Sequence, residues 1–249
     1  MFKGFYNLTS GMLSQGRRLD VVANNMTNVA TSGYKAERYT DSTFREYVIS
    51  RVGNRDKSAA AELGGASYAL APSRLYTDYS QGALEETGMG LDFAIGGEGF
   101  FAVQSGQGTA YTRSGSFALD GEGYLCLPGE GRVLDIGGEP ILLLTDKIRA
   151  DGYGALYTED GGYLGQIGVY LPEDREGMEQ GARGLFTGGG QMRASAAPIH
   201  WQALERSNVD LVQQMVEMIT SQRALQSAAQ MSKMYDQLMT KAATELGRV

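Results

Sequence analysis

All five prolines (Pro72, Pro128, Pro140, Pro172, Pro198) and thirty of the 35 glycines lie between Ala36 and Gln202. From Ala203 to Val249 only Gly247 interrupts the chain. An internal glycine costs a helix about 1 kcal/mol relative to alanine and a proline about 3. Long helices are therefore confined to the two ends, and the middle has to be built from short segments joined by turns.

The N-terminal end carries a helical period. Phe5, Leu8, Met12, Gln15, Leu19, Val22, Met26 and Val29 alternate as a and d positions of four heptads in which only Gln15 is polar. This predicts a helix from about Phe2 to Val29, roughly 40 Å long, with a coiled-coil seam. Gly4, Gly11 and Gly16 weaken it, so the helix is expected to depend on a partner. At the other end, Ser207, Asn208, Val209 and Asp210 read as a capping box opening a helix from Asn208 to about Ala243. Its apolar residues fall in two stripes out of register with each other: Val209, Val212, Val216 and Ile219, then Ala228, Met231, Tyr235, Leu238 and Ala242. Spacing leaves two outcomes open, a helical hairpin packed within the chain and packing between chains. Seven methionines, from Met12 to Met239, offer surfaces that repack against several neighbours, and a two-helix unit alone buries little.

From Gly90 the period shortens. "LDFAI", "GFFAVQ", "AYTRSGSFAL", "GYLCL", "RVLDI" and "EPILLL" are short alternating runs separated by glycine, with Asp-Gly pairs at 120–121, 151–152 and 160–161 placed as hairpin turns. Since no helical period separates them, a parallel α/β sheet is not expected. The fold class is α+β: long N- and C-terminal helices forming a coiled-coil-like domain, with a central all-β domain, antiparallel and sandwich- or barrel-like. The expected divisions are an N-terminal helix over 1–33, an extended connecting segment over 34–90, the β domain over 91–202 and the C-terminal helix over 203–249, pairing with the first.

Chemistry is poorly represented. His200, beside Trp201 in a β-to-helix junction, is the one histidine and reads as a packing residue. Cys126 is the one cysteine, which excludes an internal disulfide and a thiolate metal cluster. "GGEGFF" lacks the spacing and the helix of a dinucleotide site, and "DGEGY" lacks the ligands of a calcium loop. Acidic pairs such as Glu85-Glu86 are expected in loops. No enzyme, cofactor, metal site or small-molecule substrate is expected.

Charge excludes another class. Residues 1–35 carry four Lys/Arg against one Asp and residues 203–249 carry five of each sign, so the net −7 leaves −10 for the middle. An acidic middle and a neutral end argue against nucleic acid as a partner. Polar residues from Asn7 to Arg18 interrupt any signal-peptide core, so if the chain leaves the cytoplasm it is expected to do so without a cleaved secretory signal.

The first helix stops in "ANNMTNVATSGYK", Ala23 to Lys35. Gly33 is placed to supply a positive φ past the last turn, with Thr31 and Ser32 satisfying loose carbonyls. Asn24, Asn25 and Asn28 flank the apolar stripe rather than occupying it, so their amides are expected to point sideways from the seam.

"FKGFYNLTSGMLSQGRRLDVVANNMTNVATSGYKAE", "LDFAIGGEGFFAVQ" with "AYTRSGSFALDGEGYL", and "ERSNVDLVQQMVEMITSQRALQSAAQMSKMYDQLM" occur in the order found in the bacterial flagellar basal-body rod and hook family. The chain resembles that family, most of all its FlgF/FlgG-type rod proteins. The resemblance implies a structural subunit, exported by the flagellar type III apparatus and assembling helically into the rod of the basal body. Its partners would be copies of itself, other rod and hook subunits and the export apparatus. It further implies that Asn24, Asn25, Asn28, Gly33 and Tyr34 form the family's signature turn, with Ser207, Asn208, Val209 and Asp210 as its C-terminal counterpart. The packing residues would be Phe5, Leu8, Met12, Leu19, Val22, Met26 and Val29 in one helix, and Val212, Val216, Ile219, Met231, Tyr235 and Leu238 in the other. Met26, Thr27 and Ser32 depart from the usual signature, which bears on subtype. The alternative reading is a β-sandwich surface binding module, adhesin-like, on a helical stalk.

Overall fold

The computed structural model describes residues 2–51, 61–106 and 108–246. The chain divides into two compact units. One comprises residues 1–26, 37–76 and 211–249, and the other residues 27–36 and 77–210.

The first unit holds both long helices. α1 runs Phe2–Thr27 and α2 runs Leu211–Leu246, about 39 and 54 Å at the usual rise. They pack against each other antiparallel. Asn25 near the end of α1 donates to Gln214 near the start of α2 (3.2 Å), and Gly4 at the other end lies where any Cβ would come 2.9 Å from the Tyr235 hydroxyl. These two contact points are 21 residues apart on each helix, so the helices run in step. Within the connecting segment expected over 34–90 lie two long strands, β1 (Glu37–Arg51) and β2 (Ala61–Thr77), which pair as a two-stranded sheet. No period marked them in the sequence.

The second unit is all β, and every strand pair among its described residues is antiparallel. In chain order the strands are β3 (Leu84–Glu86), β4 (Phe93–Ile95), β5 (Phe100–Ser105), β6 (Gly108–Thr112), β7 (Ala118–Leu119), β8 (Leu125–Leu127), β9 (Gly131–Val133), β10 (Ile148–Ala150) and β11 (Ala155–Thr158). There follow β12 (Tyr163–Gln166), β13 (Val169–Pro172), β14 (Met178–Gln180), β15 (Leu185–Gly188), β16 (Met192–Ala194), β17 (Ile199–Trp201) and β18 (Ala203–Glu205). The main sheet runs β14-β15-β6-β5-β9-β8-β7 and branches at β5, whose Phe100 and Phe101 pair with β13 while Val103 and Gln104 pair with β9. A three-stranded sheet β10-β11-β12 and the pairs β17-β4 and β18-β3 complete the unit.

The core explains the alternation. Phe93, Ile95, Phe101, Val103, Leu125, Val133, Ile141, Leu156, Ile167 and Ile199 are all essentially sealed from solvent in one cluster. "EPILLL" contributes Ile141 and Leu143 to it, yet it joins neighbours only through isolated bridges at Pro140 and Leu142 rather than as a strand.

The hairpin turns follow a rule the Asp-Gly pairs only partly captured. Asp120 Oδ1 accepts from the amides of Glu122 and Tyr124, and Asp151 Oδ1 accepts from those of Tyr153 and Ala155. The residue needing left-handed backbone is the glycine three places on, Gly123 (φ 86°) and Gly154 (φ 78°). Asp135 with Gly138 (φ 85°) makes the same turn without an Asp-Gly pair, its carboxylate accepting from Glu139. Gly161 after Asp160 itself takes positive φ, in a turn closed on Thr158. Among the described residues no helix is long and apolar enough to cross a membrane.

Candidate assembly surface and the junction that carries it

On α2 a line of half-buried and buried positions runs through Gln214, Met218, Ser221, Leu225, Ala228, Ser232 and Tyr235, with Glu217 and Ala229 half-buried beside it. Their spacing alternates four and three, a heptad seam made mostly of small or polar residues. Tyr235 and Ala228 were expected on the packing stripe and lie on this seam. Val212, Val216 and Ile219 do not, being 71%, 57% and 50% exposed, and Met231 and Leu238 are also open. The stripe most visible in the sequence is thus the one the α1–α2 pair leaves uncovered. Leu211, Met215, Met234 and Met239 extend it. Small residues let the two helices approach along the seam, which leaves the branched and long apolar side chains facing outward.

α1 uses more of its circumference. Val22 is buried, and Leu8, Met12, Leu19 and Met26 are half-buried as a seam requires, but Phe5 is exposed, with Tyr6 and Leu13 beside it. A second face is occupied by β1. Ser14 donates to Asp41 (2.5 Å), Arg18 pairs with the other oxygen of Asp41 (3.1 Å), and Asn25 reaches Glu37.

Asn25 departs from the sideways role expected of it. It is 1% exposed, its Oδ1 accepts from the Glu37 amide (3.0 Å), and its Nδ2 donates to the Glu37 carbonyl (2.8 Å) as well as to Gln214. The side-chain amide thus imitates a strand neighbour for Glu37, a pairing open only to a group that donates and accepts like a peptide. Asn24 is exposed and bonds the Glu37 side chain; burial pushes that carboxyl above its usual range, and Asn24 opposes the shift. Asn28 stays in its own turn, accepting from the Thr31 hydroxyl (3.2 Å).

The other signature residues lie in the β unit. α1 ends at Thr27, so Val29 leaves the seam and packs with Tyr34, Ala36 and Val209. Val209 likewise precedes α2, which begins at Leu211 rather than Asn208 and places Asp210 at the capping position. The Ser207 hydroxyl accepts from the Val209 amide in a local turn (3.3 Å) and does not reach the helix. Gly33 has φ 68° and donates to the Glu205 carbonyl (2.7 Å); a Cβ there would stand 2.2 Å from the Arg113 carbonyl carbon. Asn208 Oδ1 accepts from the Ala36 amide (2.7 Å), and its Nδ2 donates to the Asp78 carbonyl (2.8 Å) and the Ser80 carbonyl (3.1 Å).

At the centre of this junction is a buried ionic cluster that sequence reading missed. Glu205, fully buried, takes Lys35 Nζ on Oε1 (2.5 Å) and Arg113 on Oε2 (3.0 Å). Oε1 also accepts from the Gly82 amide (2.9 Å), and Lys35 donates to the Ser80 carbonyl (2.7 Å). Burial lowers the Lys35 pKa below its ordinary value, and the Glu205 carboxylate works against that shift. Arg113 lies 5.4 Å over the Phe100 ring. Lys35 was read only as the close of a polar turn, and nothing local to Glu205 or Arg113 marks them as partners.

His200 is exposed rather than packed, while Trp201 rests on the core and donates to the Gly90 carbonyl (2.8 Å). Cys126 lies half-buried in β8. The acidic pair Glu85-Glu86, expected in a loop, lies in the short strand β3.

Three family models match the chain. They are "Flagella basal body rod protein" over residues 5–35, "Flagellar hook protein FlgE/F/G D1 domain" over 94–141, and "Flagellar basal body rod FlgEFG protein C-terminal" over 202–245. The first and last contain the paired helices together with Lys35 and Glu205. The chain is 33% identical to the flagellar basal-body rod protein FlgG of Bacillus subtilis, with 96% of this chain and 97% of that one aligned. It is 30% identical to the flagellar basal-body rod protein FlgF of Caulobacter vibrioides across the whole of both, and 28% identical to the flagellar hook-basal body complex protein FlhO of B. subtilis, again across both. With both helical ends and the β unit matched in order, and near-complete coverage at this identity, the chain belongs to the flagellar basal-body rod family of FlgF and FlgG.

Proposed function

We propose that this protein is a structural subunit of the flagellar basal-body rod, without enzymatic activity, that assembles with copies of itself and with other rod and hook subunits. Family membership supports the location and the structural role. The observation that carries the mode of assembly is the uncovered stripe of α2, Val212, Met215, Val216 and Ile219, continued by Met231, Met234 and Leu238. Exposed apolar groups of this kind on a paired helix mark an interaction surface. Its methionines suit a helical polymer, where one surface meets neighbours in slightly different settings. Phe5, Tyr6 and Leu13 of α1 supply further apolar area. In this reading many such contacts together transmit torque along a shaft surrounding the export channel, and the subunit arrives through the flagellar export apparatus.

Deleting the gene tests the proposal. The expected result is a non-motile cell with no hook or filament, and a labelled copy that restores motility is found in the rod of isolated basal bodies. Motile cells with intact filaments, or a label absent from basal bodies, overturn it.

A further inference from the structure

Among the described ion pairs, Glu205 supplies the carboxylate for both Lys35 and Arg113. The three groups are 170 and 92 residues apart in sequence, and all are buried. We infer that this cluster is a latch, in which Glu205 fastens the segment 33–36 and the segment 205–209 onto the β unit as one releasable element distinct from the main sheet.

The same carboxylate holds three separate pieces of chain: Lys35 from the segment after α1, Arg113 from the end of β6, and the Gly82 amide ahead of β3. Removing the charge takes from two buried cations the carboxylate that pairs with both, Asp78 and Glu98 acting on them only from further off, and this is strongly destabilising, whereas an apolar replacement of an entire buried ionic triad is often tolerated. The penalty falls where the cations sit. Lys35 escapes by undocking its segment, because the remaining attachments there are a few hydrogen bonds and a small apolar cluster of Val29, Tyr34, Ala36 and Val209. The main core, from Phe93 to Ile199, contains none of the three ionic residues. The two latched segments continue along the chain into α1 and α2. Closure also awaits Glu205, since Lys35 and Arg113 repel until the carboxylate arrives.

Amide hydrogen exchange on the full-length chain reads this directly. Five amides report the latch: Gly33, Ala36, Asp78, Gly82 and Arg206, bonded to Glu205, Asn208, Ala36, Glu205 and Ala83. Phe93, Leu125 and Leu134 report the core, bonded to Gly115, Ile141 and Ala102. Glu205→Gln is expected to lower protection at the five latch amides by about a hundredfold while the three core amides keep theirs. In Lys35→Met/Arg113→Met/Glu205→Leu, protection at Gly33, Ala36, Asp78 and Arg206 is expected to return to within about tenfold of the parent, Gly82 alone having lost its acceptor. Unchanged latch protection in Glu205→Gln, or loss spread equally over latch and core, overturns the latch. So does a triple variant that remains as unprotected as the single one.

Discussion

Changing Val212, Val216 and Ile219 together to serine separates assembly from folding. Between half and nearly three-quarters of each residue is exposed in the single chain. Full burial of such a side chain is worth about 1.5–3 kcal/mol, so covering the remaining area contributes roughly 1–1.5 kcal/mol each, or about 3–4 kcal/mol for the three. That weakens subunit association by about two to three powers of ten. The purified chain should barely notice. Serine and the β-branched residues have similar helix propensities, and exposed substitutions usually stay within about 0.5 kcal/mol each. A thermal melt followed by circular dichroism should therefore shift by no more than about 6 °C, given the usual sensitivity for a chain of this size. The same variant expressed in place of the parent should leave few basal bodies with a completed rod, counted by electron microscopy. A melt lowered by 8 °C or more would mean the stripe packs inside the chain, and a normal count of complete rods would mean it packs against nothing. Either result refutes the reasoning.

Three further outcomes are expected. Asn25→Ala removes both bonds to the Glu37 backbone and the one to Gln214, and should destabilise the helical unit by about 2–3 kcal/mol in urea unfolding; a neutral result would show that solvent replaces the amide freely. Glu37 has a folded-state pKa above its unfolded value, so the native state holds the extra proton and stability falls as pH rises from about 4.5 through the raised folded value. Glu37→Gln should remove that part of the pH dependence and be the more stable chain at neutral pH, as melts taken from pH 4 to 8 will reveal. In the turn after β7, Gly121→Ala should be nearly silent, as open space surrounds its added Cβ. Gly123→Ala should cost about 1–2 kcal/mol, because φ is 86° and Leu144 stands within 3 Å of the new atom; equal effects at the two glycines would refute the turn rule.

The sequence by itself determined the two helical ends, the β character from Gly90 onward and that those strands turn back on one another, but not β1 and β2. Those properties live in local chemistry: the absence of proline from both ends and the near absence of glycine after Gln202, the heptads, and aspartates that bind amides two and four residues ahead. It also located the end of α1 to within two residues and the left-handed Gly33, because backbone freedom at that position is a property of glycine itself. What it could not assign was the destination of each apolar stripe. A branched stripe such as Val212–Val216–Ile219 reads as a seam, yet the α1–α2 seam runs through Gln214, Ser221 and Ala228, since close approach of two helices selects small residues and a hydrophobic count does not. Asn25 illustrates the same limit. Its place beside the stripe was legible, but whether its amide turns to a neighbouring molecule or to Glu37 depends on where β1 lies. The Lys35–Glu205–Arg113 cluster is entirely a product of tertiary structure. A charge in sequence looks like a solvated surface residue, and only folding over separations of 92 and 170 residues brings its counter-charges near enough for burial to be tolerated.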